Sequence, residues 1–173
     1  AWAQMTMTFI MNGWRTSLIN LGSMDQIASG TYGFMNPTKA LYDAFVAREG
    51  KDGYRLRSTI RTYDELNAEY GLTVNAGERL VGHEGLFNWK NRALKEDCVM
   101  DASYFQALQY TNLRVMRYAE VLLLAAEAHV MSGGSRAAEY VNAVRTRARL
   151  QPLSSVTLDD VKAEKRLELC LEC

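Results

Sequence analysis

From Asn112 to Met131 the chain runs for about five helical turns without a proline or glycine. Met116, Ala119, Leu123, Ala126 and Val130 recur at intervals of three and four, which lines them along one face of an α-helix. The stretch is rich in Ala, Leu, Glu and Met, all strong helix formers. Val121, Leu122, Leu124, Ala125 and Ala128 widen the apolar surface beyond one stripe, so the pattern predicts a helix buried on most sides. Asn112 is the expected N-cap, and Ser132-Gly-Gly134 is the expected left-handed end. A second helix is predicted over Ser135–Leu150, with Ala137, Val141, Val144 and Ala148 inward and Ala138 and Tyr140 flanking. Only Ser132-Gly-Gly134 joins the two, so they must fold back as an antiparallel hairpin. After the linker Gln151–Ser155, Thr157-Leu-Asp-Asp160 opens a third helix with a hydroxyl cap and an acid three residues on. Val161, Lys165, Glu168 and Leu169 belong to it, and no cap, glycine or proline precedes Cys173. This helix is therefore expected to run to the end of the chain and to be cut short there.

Upstream the pattern is less regular. Met5–Met11 fits either a strand or a short helix, and Gly13, Gly22, Gly30 and Gly33 then predict loops. Asn36-Pro-Thr-Lys-Ala-Leu-Tyr-Asp-Ala-Phe-Val-Ala-Arg48 predicts a helix capped by Asn36, with Pro37 in the first position and Leu41, Ala44 and Phe45 on one face. Tyr54–Tyr63 alternates apolar and polar residues, the period of a half-buried strand. Asp64–Tyr70 predicts one or two helical turns, and residues 71–101 a long irregular excursion with a short strand around Phe87–Lys90. Long irregular segments are frequently functional.

Composition changes the picture mainly by exclusion. At 173 residues and 19.5 kDa the chain can bury one real core, so a single domain over residues 1–173 is expected. Twenty basic and twenty acidic residues without a like-charge block argue against nucleic acid as partner. No apolar run approaches the roughly 20 residues of a membrane span. The amino-terminal stretch has no basic leader region and no initiator Met, which suggests a start partway through a larger protein. Cys98, Cys170 and Cys173 form no metal-ligand pattern. Cys170-Leu-Glu-Cys173 has C-x-x-C spacing without the strand context of a redox motif.

Three ordered motifs go further. Arg117-Tyr-Ala-Glu-Val-Leu-Leu-Leu-Ala-Ala-Glu-Ala128, Ala143-Val-Arg-Thr-Arg-Ala-Arg-Leu150 and Glu164-Lys-Arg-Leu-Glu-Leu-Cys-Leu-Glu172 resemble the carboxyl-terminal region of the SusD/RagB family. Asn36–Phe45 looks like that family's P-T-x-x-L-x-D-x-F segment, so the resemblance covers roughly residues 36–48 and 112–172. Lys165 stands where arginine is usual and Cys173 where glycine is common. The resemblance implies a mainly α fold of tetratricopeptide-like helical hairpins with long irregular loops and at most a small β element. Residues 1–111 would be a loop-rich part with a helix near 36–48, and residues 112–173 a three-helix bundle with a truncated last helix. It further implies a surface-exposed outer-membrane lipoprotein that binds glycans or other nutrient oligomers without catalysis. Such a protein delivers its oligosaccharide or polysaccharide ligand to a SusC-like, TonB-dependent transporter. Its lipid anchor lies outside this fragment, and neither cofactor nor metal is expected.

Arg117, Glu120, Glu127, Arg145, Arg147, Glu164, Arg166 and Glu168 are the charged members of the motifs. Their place on core-forming helices predicts a structural network of arginine–carboxylate pairs rather than a polar binding site. For a glycan binder, the useful groups are rings that stack on sugar faces from loops on a rigid scaffold. Trp14 and Trp89 are preferred, with Tyr32 and Trp2 beside them, and Phe34 and Tyr110 lie in similar segments. His129 suits a core or helix-end role. His83 and Glu84 are adjacent, so on an extended chain they point apart, and no third ligand is spaced to join them. A helical-repeat scaffold binding other proteins is the alternative function. A hydrolase using Asp52, Asp64 or Glu84 is the remote one, since no hydrolase motif is present.

Overall fold

A computed structural model describes residues 10–80, 83–98 and 114–172. In chain order it runs through a 3₁₀ turn (Thr16–Leu18), β1 (Ile19–Asn20), α1 (Lys39–Glu49), α2 (Tyr54–Thr59), β2 (Ile60–Thr62), α3 (Tyr63–Tyr70), β3 (Thr73–Val74), β4 (Leu86–Asn88), a second 3₁₀ turn (Lys95–Asp97), α4 (Tyr118–Ser132), α5 (Ala137–Arg147) and α6 (Leu158–Leu169). The fold is mainly α. Its β content among the described residues is two short antiparallel pairs, β1 with β3 and β2 with β4.

The carboxyl-terminal helices follow their local signals closely. Gly133 closes α4 in the left-handed region (φ 72°), and its N–H bonds the carbonyl of His129. The short connection folds α5 back on α4, and Ala119, Leu123, Ala126, Val141 and Val144 pack with Val161 of α6. Thr157 caps α6 in a capping box with Asp160. Asn142 reinforces the linker by bonding both the N–H and the carbonyl of Leu153. Leu167 carries α6 into a second cluster with Phe45, Leu56, Ile60 and Leu86, so the last helix joins the bundle to α1, α2 and the β2–β4 pair. A third cluster holds Trp14, Leu18, Met24, Ile27, Leu66, Leu72 and Phe87 beneath the amino-terminal loops.

Five expectations are corrected. Tyr54–Tyr63 is not one strand: it forms α2, then the three residues of β2. Arg55, Leu56, Thr59 and Ile60 are all buried, a helical spacing, and the alternation misled because buried Arg55 and Thr59 count as polar. α1 starts two residues late, because the Thr38 hydroxyl caps it by accepting from Leu41 N–H while the Asn36 amide donates to Gly33. α6 stops at Leu169, where Cys170 leaves the helical region with ψ 151° and Leu171 takes φ 60°. Finally, α4 is buried on one side only, with Val121 and Leu124 each 44% exposed and Tyr118 and Met131 more so. Asn112 lies outside the described residues. The strand expected at Phe87–Lys90 falls one residue earlier, and the N–H groups of Trp89 and Lys90 both donate to the Thr59 carbonyl instead.

Candidate functional site

The aromatic candidates separate by burial. Trp14 is 3% exposed, its indole N–H donates to the Asn88 carbonyl at 2.9 Å, and its ring meets Phe87 edge-on at 4.9 Å. It is a core residue and presents no open face. Trp89 is half-buried: the Arg92 guanidinium stands 4.2 Å and that of Arg61 5.2 Å from its ring centre, with Tyr70 stacked at 6.1 Å. Tyr32 and Phe34 face solvent, their centroids 5.7 Å apart and tilted by 41°. Trp2 and Tyr110 lie outside the described residues.

The exposed pair is held by backbone. Tyr32 N–H donates to Ile10 and Phe34 N–H to Met11, each at 2.8 Å, so an extended segment puts both rings on one side. Thr31, between the two stretches, bonds the Trp14 carbonyl through its hydroxyl. Gly33 takes φ 68° against the backbone of Arg15, where an added Cβ would come within 2.8 Å of the Arg15 nitrogen. Below the rings lies a cleft of about 160 Å³ lined by Arg15, Leu18, Ile19, Asn36, Leu80, His83 and Phe87, together with Tyr32, Gly33 and Phe34. That volume is below the roughly 300–1,000 Å³ of enclosed small-molecule sites, so it suits the edge of one ring of a longer ligand. His83 packs 4.4 Å from the Phe87 ring, and its buried Nδ1 has no hydrogen-bond partner among the described residues. Burial lowers its pKa from 6.5 to about 4, so it is neutral at ordinary pH. Local spacing could not have brought Arg15 and His83 together, since they are far apart in sequence; Tyr32-Gly-Phe34, at i and i+2, was the visible signal.

The charged residues assemble elsewhere, between α1, α2 and α4–α6. Glu164, 0% exposed, accepts from Arg55 Nη1 at 2.6 Å and Arg145 Nη1 at 3.1 Å. Glu168 accepts from Arg55 at 3.2 Å, Arg117 at 3.1 Å and also Arg147. Arg55 reaches Glu49 through Nε at 2.8 Å. Its Nη2 is 2.7 Å from the same carboxylate but out of line for a hydrogen bond, so that contact is ionic only. Burial alone would lower the Arg55 pKa, but Glu164 and Glu49 outweigh it and the net direction is upward. Arg117 also grips Glu172 at 2.6 Å and the Glu168 carbonyl at 3.0 Å. Lys90 bonds the carbonyls of Glu168 and Cys170, which sets two cations on the negative end of α6. Glu127 pairs with Lys165 at 2.8 Å. Arg166 donates to the Ala40 carbonyl at 3.5 Å, and among the described residues neither it nor Glu120 has an ion pair. Arg55, Glu49, Lys90 and Glu172 were missed by sequence reasoning, Arg55 because it was assigned to a strand.

The remaining candidates stay apart. Asp52 faces Arg57 at 3.7 Å on the surface, Asp64 is exposed, and Glu84 accepts the Lys39 N–H at the start of α1. None of them lines the cleft. No group of three or more His, Cys, Asp or Glu suited to a metal occurs among the described residues. No described helix is long and apolar enough to cross a membrane. Cys98 and Cys170 are free thiols, the latter pushed up to about 11 by burial, and Cys173 lies outside the described residues.

Residues 99–173 match the sequence profile of the SusD family. A SusD-like protein P2 of Formosa agariphila is 60% identical over 42 residues, 23% of this chain and 8% of that protein. Among solved structures, a laminarin-binding SusD-like protein superposes with a TM-score of 0.72 at 27% identity, covering 95% of this chain and 33% of its own. Surface glycan-binding protein A from Bacteroides uniformis gives 0.65 at 30% identity, over 88% and 31%. Its namesake from Bacteroides thetaiotaomicron, solved with laminarihexaose, gives 0.63 at 26%, over 91% and 34%. The chain therefore spans about a third of the length of these solved structures.

Proposed function

We propose that this chain, whose residues 99–173 match the SusD family profile, takes part in non-catalytic glycan binding at the bacterial cell surface. The bound oligosaccharide or polysaccharide is passed to a SusC-like, TonB-dependent transporter in the outer membrane, to which the whole protein is tethered as a lipoprotein. The observation that carries the reading is the solvent-facing Tyr32–Phe34 pair over a cleft with Asn36 and Arg15 at its wall. Rings supply the apolar platform for a sugar face, and amide or guanidinium groups bond its hydroxyls. Resemblance to glycan-binding proteins, one of them solved with laminarihexaose, supports the same ligand class. The helical network beneath is scaffold and bears no ligand role.

The test is isothermal titration of the chain with a panel of oligosaccharides that includes laminarihexaose. Tyr32→Ala and Phe34→Ala should each weaken binding about tenfold, in line with roughly 1–1.5 kcal/mol for an aromatic contact, with melting temperatures unchanged. Absence of binding to every glycan tested, or full affinity in the double variant, overturns the site. Co-purification of the full-length protein with a β-barrel transporter from outer membranes tests the delivery step. A second reading, a helical scaffold for another protein, is favoured by one observation, the exposed Tyr118, Val121, Leu124 and Met131 of α4. A Val121→Glu variant that keeps glycan binding but loses a protein partner would support it.

A further inference from the structure

We infer that the cleft beside Tyr32 and Phe34 selects a saccharide carrying an anionic group, a uronate carboxylate or a sulfate ester, held by Arg15. This rests on the glycan-binding reading above and deepens it. Among the described residues lining the cleft, Arg15 bears the only full charge, and none is a carboxylate. Arg15 is exposed and has no ion pair or side-chain hydrogen bond among the described residues. Other arginines also lack a carboxylate, Arg92 and Arg149 lying over the Trp89 and Tyr54 rings and Arg166 on the Ala40 carbonyl, but none of these lines the cleft; Arg55, Arg61, Arg117, Arg136, Arg145 and Arg147 are each matched to a carboxylate.

Position ties this cation to the rings. Gly33 sits between Tyr32 and Phe34 in sequence, and its Cα hydrogen faces the Arg15 backbone at a separation no side chain would allow. The backbone that carries Arg15 is thus fixed against the very residue that spaces the aromatic pair, while its exposed guanidinium is left unpaired among the described residues. A planar fork of donors meets a carboxylate or sulfate in two parallel hydrogen bonds, which a neutral hydroxyl cannot supply. The other lining groups with polar side chains are neutral: Asn36, Tyr32 and His83, the last kept so by burial.

The experiment is titration of the full chain with three hexasaccharides: neutral laminarihexaose, hexagalacturonate and a sulfated hexasaccharide. One or both anionic probes should bind at least tenfold more tightly than laminarihexaose, and the gap should narrow as salt rises. Which of the two prevails distinguishes carboxylate from sulfate. Arg15→Gln should bring the anionic probes down to the affinity of the neutral one without lowering the melting temperature, and Arg15→Lys should restore only part of the preference. Equal or tighter binding of the neutral probe, or a preference that survives Arg15→Gln, overturns the inference and leaves the glycan-binding reading standing. Failure of all three probes to bind overturns both.

Discussion

Glu164 is the most demanding point in the buried network, and neutralising it gives a worked test. Its carboxylate is 0% exposed and bridges Arg55 of α2 and Arg145 of α5 from its own place on α6. In Glu164→Gln the side chain keeps its shape and loses its charge. Arg55 retains Glu49 and Glu168, so its positive charge stays compensated. Arg145 retains only the Gln151 carbonyl, at 2.9 Å, and is 9% exposed. The cost is therefore one buried guanidinium left without its counter-ion, the lower end of the 3–5 kcal/mol seen when a buried pair is broken, or about 3 kcal/mol. For a chain of this size that corresponds to a drop in melting temperature of about 6–12 °C. Urea unfolding followed by far-ultraviolet circular dichroism should show a lower midpoint with unchanged slope. Arg145→Ala should cost about as much, and the two together clearly less than their sum, because each single change removes the same pair. Replacing both partners with apolar residues, Arg145→Met with Glu164→Leu, should recover much of the loss. A Glu164→Gln midpoint within about 1 kcal/mol of the parent, or strict additivity, would refute the assignment of a stabilising internal pair.

Other expectations are independent of that network. Trp14→Ala should destabilise by about 3–5 kcal/mol through the cavity it leaves, whereas Tyr32→Ala should leave the melting temperature alone; the reverse order would contradict the burial of the one and exposure of the other. Gly22→Ala should be far more damaging than Gly71→Ala: both have positive φ, but an added methyl at Gly22 runs into the Tyr70 carbonyl while that at Gly71 meets open space, and Gly71→Ala should cost only about 1–2 kcal/mol of backbone strain in a thermal melt. His83 has a folded pKa lowered by burial to about 4 from 6.5, so the unfolded chain takes up the proton first. Stability should therefore fall as pH drops from 6.5 towards 4 and level off, for this group, below that. An NMR titration of the His83 ring with a midpoint near 6.5, or no change in the pH slope on His83→Gln, would count against it.

What the amino-acid order settled by itself was whatever depends on neighbours within one helical turn. Thr157 with Asp160, the Gly133 terminus, the inward run Ala137, Val141, Val144, Ala148 and the short hairpin connection are all interactions of residues a few positions apart. Their physics is complete before the chain folds. The same reasoning failed at Tyr54–Tyr63, where Arg55 and Thr59 are inside, and a polar residue is buried only if distant groups satisfy it. Arg55 meets Glu164 and Glu168 across 109 and 113 residues. Local spacing also could not tell Trp14 from Tyr32. Trp14 is internal because Asn88, 74 residues away, accepts its N–H and Phe87 covers its ring, while nothing on the far side of the chain arrives over Tyr32 and Phe34 among the described residues. Helix ends and faces are set by short-range hydrogen bonds and side-chain period. Which rings meet solvent, and which arginines are left without a carboxylate, is set by long-range packing, and only the tertiary structure decided that.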